Sequence, residues 1–185
     1  MNYKNRYQQN QNLYIDRCEY GFDLGGKFKV KVNQVIDEQA KGDDYTHKVL
    51  LHVQPKQAEI IQYLKDRQAQ TWHLITAFDP RGEARSLDNK DENHRLNLIA
   101  HQDLIQTVQS LGYRYQTCNC GNLNPNEEHA HIEESLLIFN ISEEQALVLA
   151  KKYRQNAWIG GDLTGNVCLY WEPEAKIEML ALAPK

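Results

Sequence analysis

Four short stretches of the chain carry polar residues whose types suit one another: Thr76, Asp79 and Arg81; Asn93 and Asn97; Glu134 and Ser135; Gln155 and Asn156. Amides and hydroxyls offer several directional hydrogen bonds, the means by which a protein orients a small polar ligand. An arginine beside a helix N-terminus suits a phosphate or carboxylate on that ligand. Glu134 is the candidate catalytic group, an acid or base if sheet and helix shield its carboxyl from water. Each residue also has a plainer role: Asp79 and Asn156 serve well in turns and helix caps, and Asn93 and Asn97 as solvated helix positions.

A second set invites a metal. Cys118 and Cys120 form a C-x-C pair, and His129 and His131 an H-x-H pair, with Glu127, Glu128 and Glu133 close by. Thiolate and imidazole are the ligands zinc prefers, but structural zinc sites use C-x(2-4)-C, where a turn aims both sulfurs at one ion. Two cysteines spaced by one residue in a strand merely share a face. Zinc is therefore the weaker alternative, and the chain is expected to carry no cofactor. Cysteine catalysis with a histidine base lacks an oriented third group or an oxyanion hole. No phosphate-binding glycine loop, nucleophile elbow or metalloprotease motif occurs in the sequence.

The elements that must position these residues follow from periodicity. Tyr20, Phe22 and Leu24, then Phe28, Val30 and Val32, alternate with polar residues about Gly25-Gly26, which predicts a β-hairpin with Lys27, Lys29 and Lys31 on its wet face. A strand over 49–53 and a helix opened by Pro55 complete an N-terminal β-rich appendage over residues 19–70. Then come a strand over 72–78, a helix over 90–111 with Leu96, Ala100, Leu104, Val108 and Leu111 as its core stripe, and a strand over 113–117. After them come a long polar loop over 118–132, a strand over 135–141, and a helix capped by Ser142 with Gln145 three residues on. A last strand starts at Ala157, with further strands over 167–171 and 176–182.

Strand, helix, strand, strand, helix, strand is the split βαβ or ferredoxin-like order. The expected class is thus α+β, an antiparallel sheet with two helices over residues 71–185, plus the hairpin and helix appendage. That topology brings all four polar stretches to one edge of the sheet.

Composition narrows the setting. The chain has 185 residues, enough to bury a core without disulfides, and its 21 Lys and Arg against 25 Asp and Glu give a net charge of -4. No global positive field exists to hold nucleic acid, so non-specific binding to DNA or RNA is disfavoured. No apolar run reaches the length of a membrane span, and no secretory signal opens the chain, so no membrane partner and a reducing cytoplasm are expected. The four cysteines, Cys18, Cys118, Cys120 and Cys168, are too sparse for a disulfide scaffold. Seven Asn or Gln among residues 1–14 mark a tail, 1–18, expected to remain mobile.

The stretches Thr76-Ala77-Phe78-Asp79-Pro80-Arg81, Glu92-Asn93 with Asn97, Glu134-Ser135, Ile141-Ser142 with Ala146, and Gln155-Asn156-Ala157 resemble, in order and spacing, the bacterial domain-of-unknown-function family numbered 3293. The resemblance covers roughly residues 72–171. Where that family usually has Asn, this chain has Asp79, which places a charge among the amides. The resemblance implies a boundary and a choice of polar positions but no reaction. Two expectations follow: a module that binds a small polar or anionic ligand at the sheet edge, with catalysis by Glu134 in reach, or a protein-interaction module such as a regulator or inhibitor.

Overall fold

The computed structural model describes residues 20–23, 29–35, 48–54, 57–80, 89–122 and 132–172. Arg81, His129, His131, the Gly25-Gly26 turn, the N-terminal tail and the expected strand over 176–182 lie outside the described residues. In chain order the elements are β1 (Tyr20–Asp23), β2 (Lys29–Val35), β3 (Lys48–Gln54), α1 (Gln57–Asp66), β4 (Thr71–Thr76), α2 (Lys90–Ser110), β5 (Tyr115–Asn122), β6 (Ile132–Phe139), α3 (Glu143–Lys152), β7 (Ala157–Asp162) and β8 (Val167–Trp171). The fold is α+β with an antiparallel sheet.

Neighbouring strands run β8-β7-β4-β6-β5, and every pairing among them is antiparallel. β3 pairs with β8 and β1 with β5, so the N-terminal strands bridge the two ends of this array and close the sheet. Among the described residues, closure leaves no unpaired strand edge to recruit another chain.

β4 lies at the centre, between β7 and β6, and its four inner residues Trp72, His73, Leu74 and Ile75 are all buried. Burial on alternate sides requires a layer on each face, and the chain supplies both. Trp72 and Leu74, with Leu137, Phe139 and Ile159, pack against Ile60, Tyr63 and Leu64 of α1. On the other face Ile75, Leu136, Ile138 and Trp158 meet Leu104 and Val108 of α2 and Ala146, Leu149 and Ala150 of α3. Each such aliphatic side chain withdrawn from water contributes about 1.5 to 3 kcal/mol.

Local signals account for the helix ends. Asn89 caps α2 by accepting from the amides of Asp91 and Glu92, and Ser142 caps α3 by accepting from Gln145. Gly112, at φ 77, turns the chain after α2 toward β5. α2 and α3 are then clasped side by side: the Tyr153 hydroxyl donates to Asp103 Oδ2 at 2.7 Å, and Lys152 stands 3.0 Å from the same carboxylate.

Two sequence expectations need correction. Of the expected core stripe of α2, Leu104 and Val108 are buried and Ala100 packs against the core, but Asn97 and His101 are buried beside them and Leu111 is exposed. β5 does not stop at Thr117 but runs to Asn122, and β6 begins at Ile132, so both ends of the expected polar loop are strand. The strand from Ala157 is as expected: β7 runs to Asp162 and turns through Gly165, at φ 77, into β8.

Trp158 Nε1 donates to His73 Nδ1 at 3.0 Å inside the sheet's helix-covered face, with Tyr170 stacked on the indole. This pair fits only because position 160 has no side chain: a Cβ there would stand 2.3 Å from His73 Nδ1 and 3.0 Å from the Trp72 carbonyl. Gly160→Ala is expected to destabilise the protein by about 1 to 3 kcal/mol, read as a lower urea midpoint with an unchanged slope. An unchanged midpoint would show that the His73 ring has room to move.

Candidate functional site

β4 ends, β6 and β7 begin, and β8 ends at the same edge of the sheet, as the registers Thr76↔Ser135 and Ala157↔Trp171 require. The N-terminal half of α2 crosses this edge. Four of the predicted stretches therefore do meet here, and the geometry shows what each residue does.

Most of them serve the turn after β4. Thr76 Oγ1 accepts from the Phe78 amide at 3.0 Å and donates to the Glu134 carbonyl at 2.9 Å. Asp79 lies at φ 36, a left-handed conformation that Asp tolerates better than most residues. Two amides of α2 hold it there. Asn97 accepts from the Asp79 amide at 3.1 Å and donates to Asp79 Oδ1 at 2.7 Å, and Asn93 donates to the same oxygen at 3.1 Å. From the far end of α3, Gln155 donates to the Phe78 carbonyl at 2.9 Å. Asn97 and Gln155 are buried, so these bonds satisfy backbone groups that water does not reach.

Ser135 is buried as well, and its hydroxyl turns back to the Glu133 carbonyl at 3.4 Å. Asn156 uses its carbonyl to accept from the Glu172 amide at 2.9 Å, while its side-chain Oδ1 is buried without a hydrogen-bond partner. Glu134 is not shielded as expected: its side chain is 47% exposed. Arg81 follows the turn but lies outside the described residues.

Two residues of this edge escaped the sequence reading. His101 sits one turn beyond Asn97, 5% exposed, with Nε2 3.6 Å from Glu134 Oε2 and Nδ1 buried without a hydrogen-bond partner. Burial lowers the imidazole's proton affinity from its ordinary value of 6.5, and the Glu134 carboxylate works in the opposite direction. The spacing Asn93, Asn97, His101 is itself a polar stripe at helical period, a signal that could have found it. Glu172, wholly buried with Lys151 Nζ at 3.8 Å, carries no comparable signature.

The metal alternative fares differently. Cys118 and Cys120 lie on one side of β5, buried in the core beneath α1, and the Cys118 thiol donates to the Ser135 carbonyl at 3.6 Å. His129 and His131 lie outside the described residues, and among the described residues no group of His, Cys, Asp and Glu is arranged to hold a metal ion. Nor is any helix of the described residues long and apolar enough to cross a membrane.

These features define an α+β protein whose antiparallel sheet is covered on both faces and whose polar side chains gather at one end of the central strand. Residues 75–158 match the family described as "Protein of unknown function (DUF3293)", which bears out the resemblance over that segment and takes in the whole set from Thr76 to Asn156, His101 included. No curated protein and no solved structure matches the chain.

Two outcomes test this account of the edge. Asn97→Ala strands the Asp79 amide and should cost about 1 to 3 kcal/mol, whereas Asp79→Asn keeps an oxygen for both α2 amides and should cost under about 1 kcal/mol. Chemical denaturation of the two variants reads both, and equal losses would show that the carboxylate charge matters to the turn. His101 gives a pH signature. The unfolded chain takes up the imidazole proton as pH falls from about 6.5, before the folded protein does, so stability present above that pH is lost as pH falls toward the lower folded-state value. Between about pH 7.5 and about pH 5 the urea midpoint should fall further in the native protein than in His101→Gln. Parallel profiles would remove His101 from the acid response.

Proposed function

We propose that this protein binds a small polar ligand at the sheet edge formed by the end of β4, the first half of α2 and the starts of β6 and β7. The observation that carries the reading is His101: a 95% buried imidazole, from its 5% exposure, whose Nδ1 meets no protein donor. Buried polar atoms are nearly always paired, and an orphan at an edge already rich in polar groups is what a bound ligand would satisfy. The left-handed Asp79, held by two amides, supports the same reading, since strained backbone persists where surrounding bonds over-determine it and clusters at binding sites.

The unit that serves this site is, in our reading, a ferredoxin-like split βαβ in a bacterial cytoplasmic protein. The order β7-β4-β6-β5, with α2 between β4 and β5 and α3 between β6 and β7, supports the split βαβ. Asp79, Asn93, Asn97, Gln155 and Thr76 then act as the frame that fixes the edge, and His101 and Glu134 as the groups left to meet a ligand. An anionic ligand would depend on Arg81.

A thermal-shift screen of the full chain against nucleotides, sugar phosphates, amino acids, amines and divalent metals tests the reading, because a ligand that binds only the folded state raises its apparent stability. A ligand at 100 times its Kd should add about 2.7 kcal/mol, and the shift should shrink in Asn93→Ala and Glu134→Gln if their folds hold. Silence across the panel, with a chelator also silent, would favour the interaction-module reading over the ligand and zinc readings alike.

A further inference from the structure

Two buried acceptors at this edge share a chemistry. Glu134 Oε2, 3.6 Å from His101 Nε2, favours the tautomer that carries its proton on Nε2. His101 Nδ1 is then a lone-pair acceptor, and it is buried without a partner. Asn156 Oδ1, at the start of β7 on the same edge, is a second buried acceptor without a partner. Leaving a buried acceptor unmet costs about 1 to 3 kcal/mol, which a donor on a ligand would recover.

Charge points the same way. Asp79 after β4, Glu134 on β6 and Glu172 after β8 bring three carboxylates to this edge, while the cations at the end of α3 are Lys151, 3.8 Å from Glu172, Lys152, 3.0 Å from Asp103, and the exposed Arg154. Around the imidazole itself the titratable groups among the described residues are Glu134 from β6, Asp79, held one turn away by Asn97, and His94 of α2 across the Phe78 ring, which stands edge-on to both histidines. An anion at His101 Nδ1 would confront a lone pair with the Glu134 carboxylate beside it. An ammonium or amidinium would present N–H donors to both and remain charged at neutral pH.

We propose that the ligand of this edge is a small amine, with His101 Nδ1 accepting one of its N–H bonds and Glu134 acting as the positioning residue that holds the imidazole in that tautomer. The inference rests on the reading that the edge binds a small polar ligand. Glu134 acts through His101 and by its charge, so Glu134→Gln, which keeps the shape, weakens amine binding. The interaction needs neutral His101 and fades as pH falls through its titration, below the ordinary histidine value.

The experiment is a thermal-shift titration of the full chain with ethanolamine, putrescine and agmatine, set against succinate and inorganic phosphate. The amines should raise Tm and the anions should not. Apparent amine affinity should drop about tenfold in Glu134→Gln, the equivalent of one weakened hydrogen bond, be lost in His101→Phe, and persist in Gln102→Ala, an exposed neighbour on α2. Should succinate or phosphate shift Tm while the amines do not, the edge binds a ligand but the donor preference is wrong. Silence from both classes removes the amine, and the wider screen then decides whether the edge binds any ligand. Amine shifts that survive His101→Phe place the amine elsewhere and overturn the proposal. If His101→Phe fails to fold, nitrogen NMR of the native histidines decides: the proposal requires an unprotonated Nδ1 on His101 at neutral pH that moves on amine addition, and a protonated or unmoved Nδ1 overturns it.

Discussion

The central strand of the sheet meets no water on either side, and that constraint shapes the rest of the molecule. Trp72 and Leu74 look toward α1, Ile75 toward α2 and α3, and neither layer leaves room for a solvated side chain along the strand. A polar backbone buried this way must find every hydrogen bond within the sheet, which the antiparallel ladders to β6 and β7 provide. Chemistry is thereby confined to the strand's ends. At one of them the ladder stops, the chain turns through Phe78 and Asp79, and backbone groups need partners that no strand supplies.

Those partners are side chains from two helices. Asn97 of α2 meets the Asp79 amide and Gln155, just past α3, meets the Phe78 carbonyl. The clasp between Tyr153 and Asp103 fixes the two helices relative to one another, so the bonds to the turn need no further adjustment. The amides are therefore chiefly structural, and the residues left over at this edge, His101 and Glu134, are those whose polar atoms the fold does not use up. Sorting polar residues by whether the backbone already employs them separates those that hold the turn from those with polar atoms to spare, a distinction residue type alone does not make.

The same sorting explains what the sequence revealed and what it hid. α3 was legible because Ser142 and Gln145 form a local cap, and α2 because its length and Gly112 mark its span. The inward face of α2 was legible only in part: Ala100, Leu104 and Val108 pack on the core, but Asn97 and His101 are buried beside them, and a buried amide reads as solvated until the turn it serves is known. β5 was cut short because Cys118-Asn119-Cys120-Gly121-Asn122 looks like loop composition, although its cysteines alternate into the core as a strand should. The polar stretches were grouped correctly at one edge since topology alone dictates that. Their individual roles needed distances.

The cysteines give the fold a means of reporting on itself. Cys118 and Cys120 are sealed under α1, and Cys168 under the layer made by α2 and α3. A thiol reagent reaches them only when the covering layer parts, and thiolate formation in such apolar surroundings is suppressed until it does. The time course of alkylation at each thiol is thus a clock for the opening of one face. If α1 lifts more often than the paired helices, the molecule breathes from one side first, and the two sides of a single sheet have separate lifetimes.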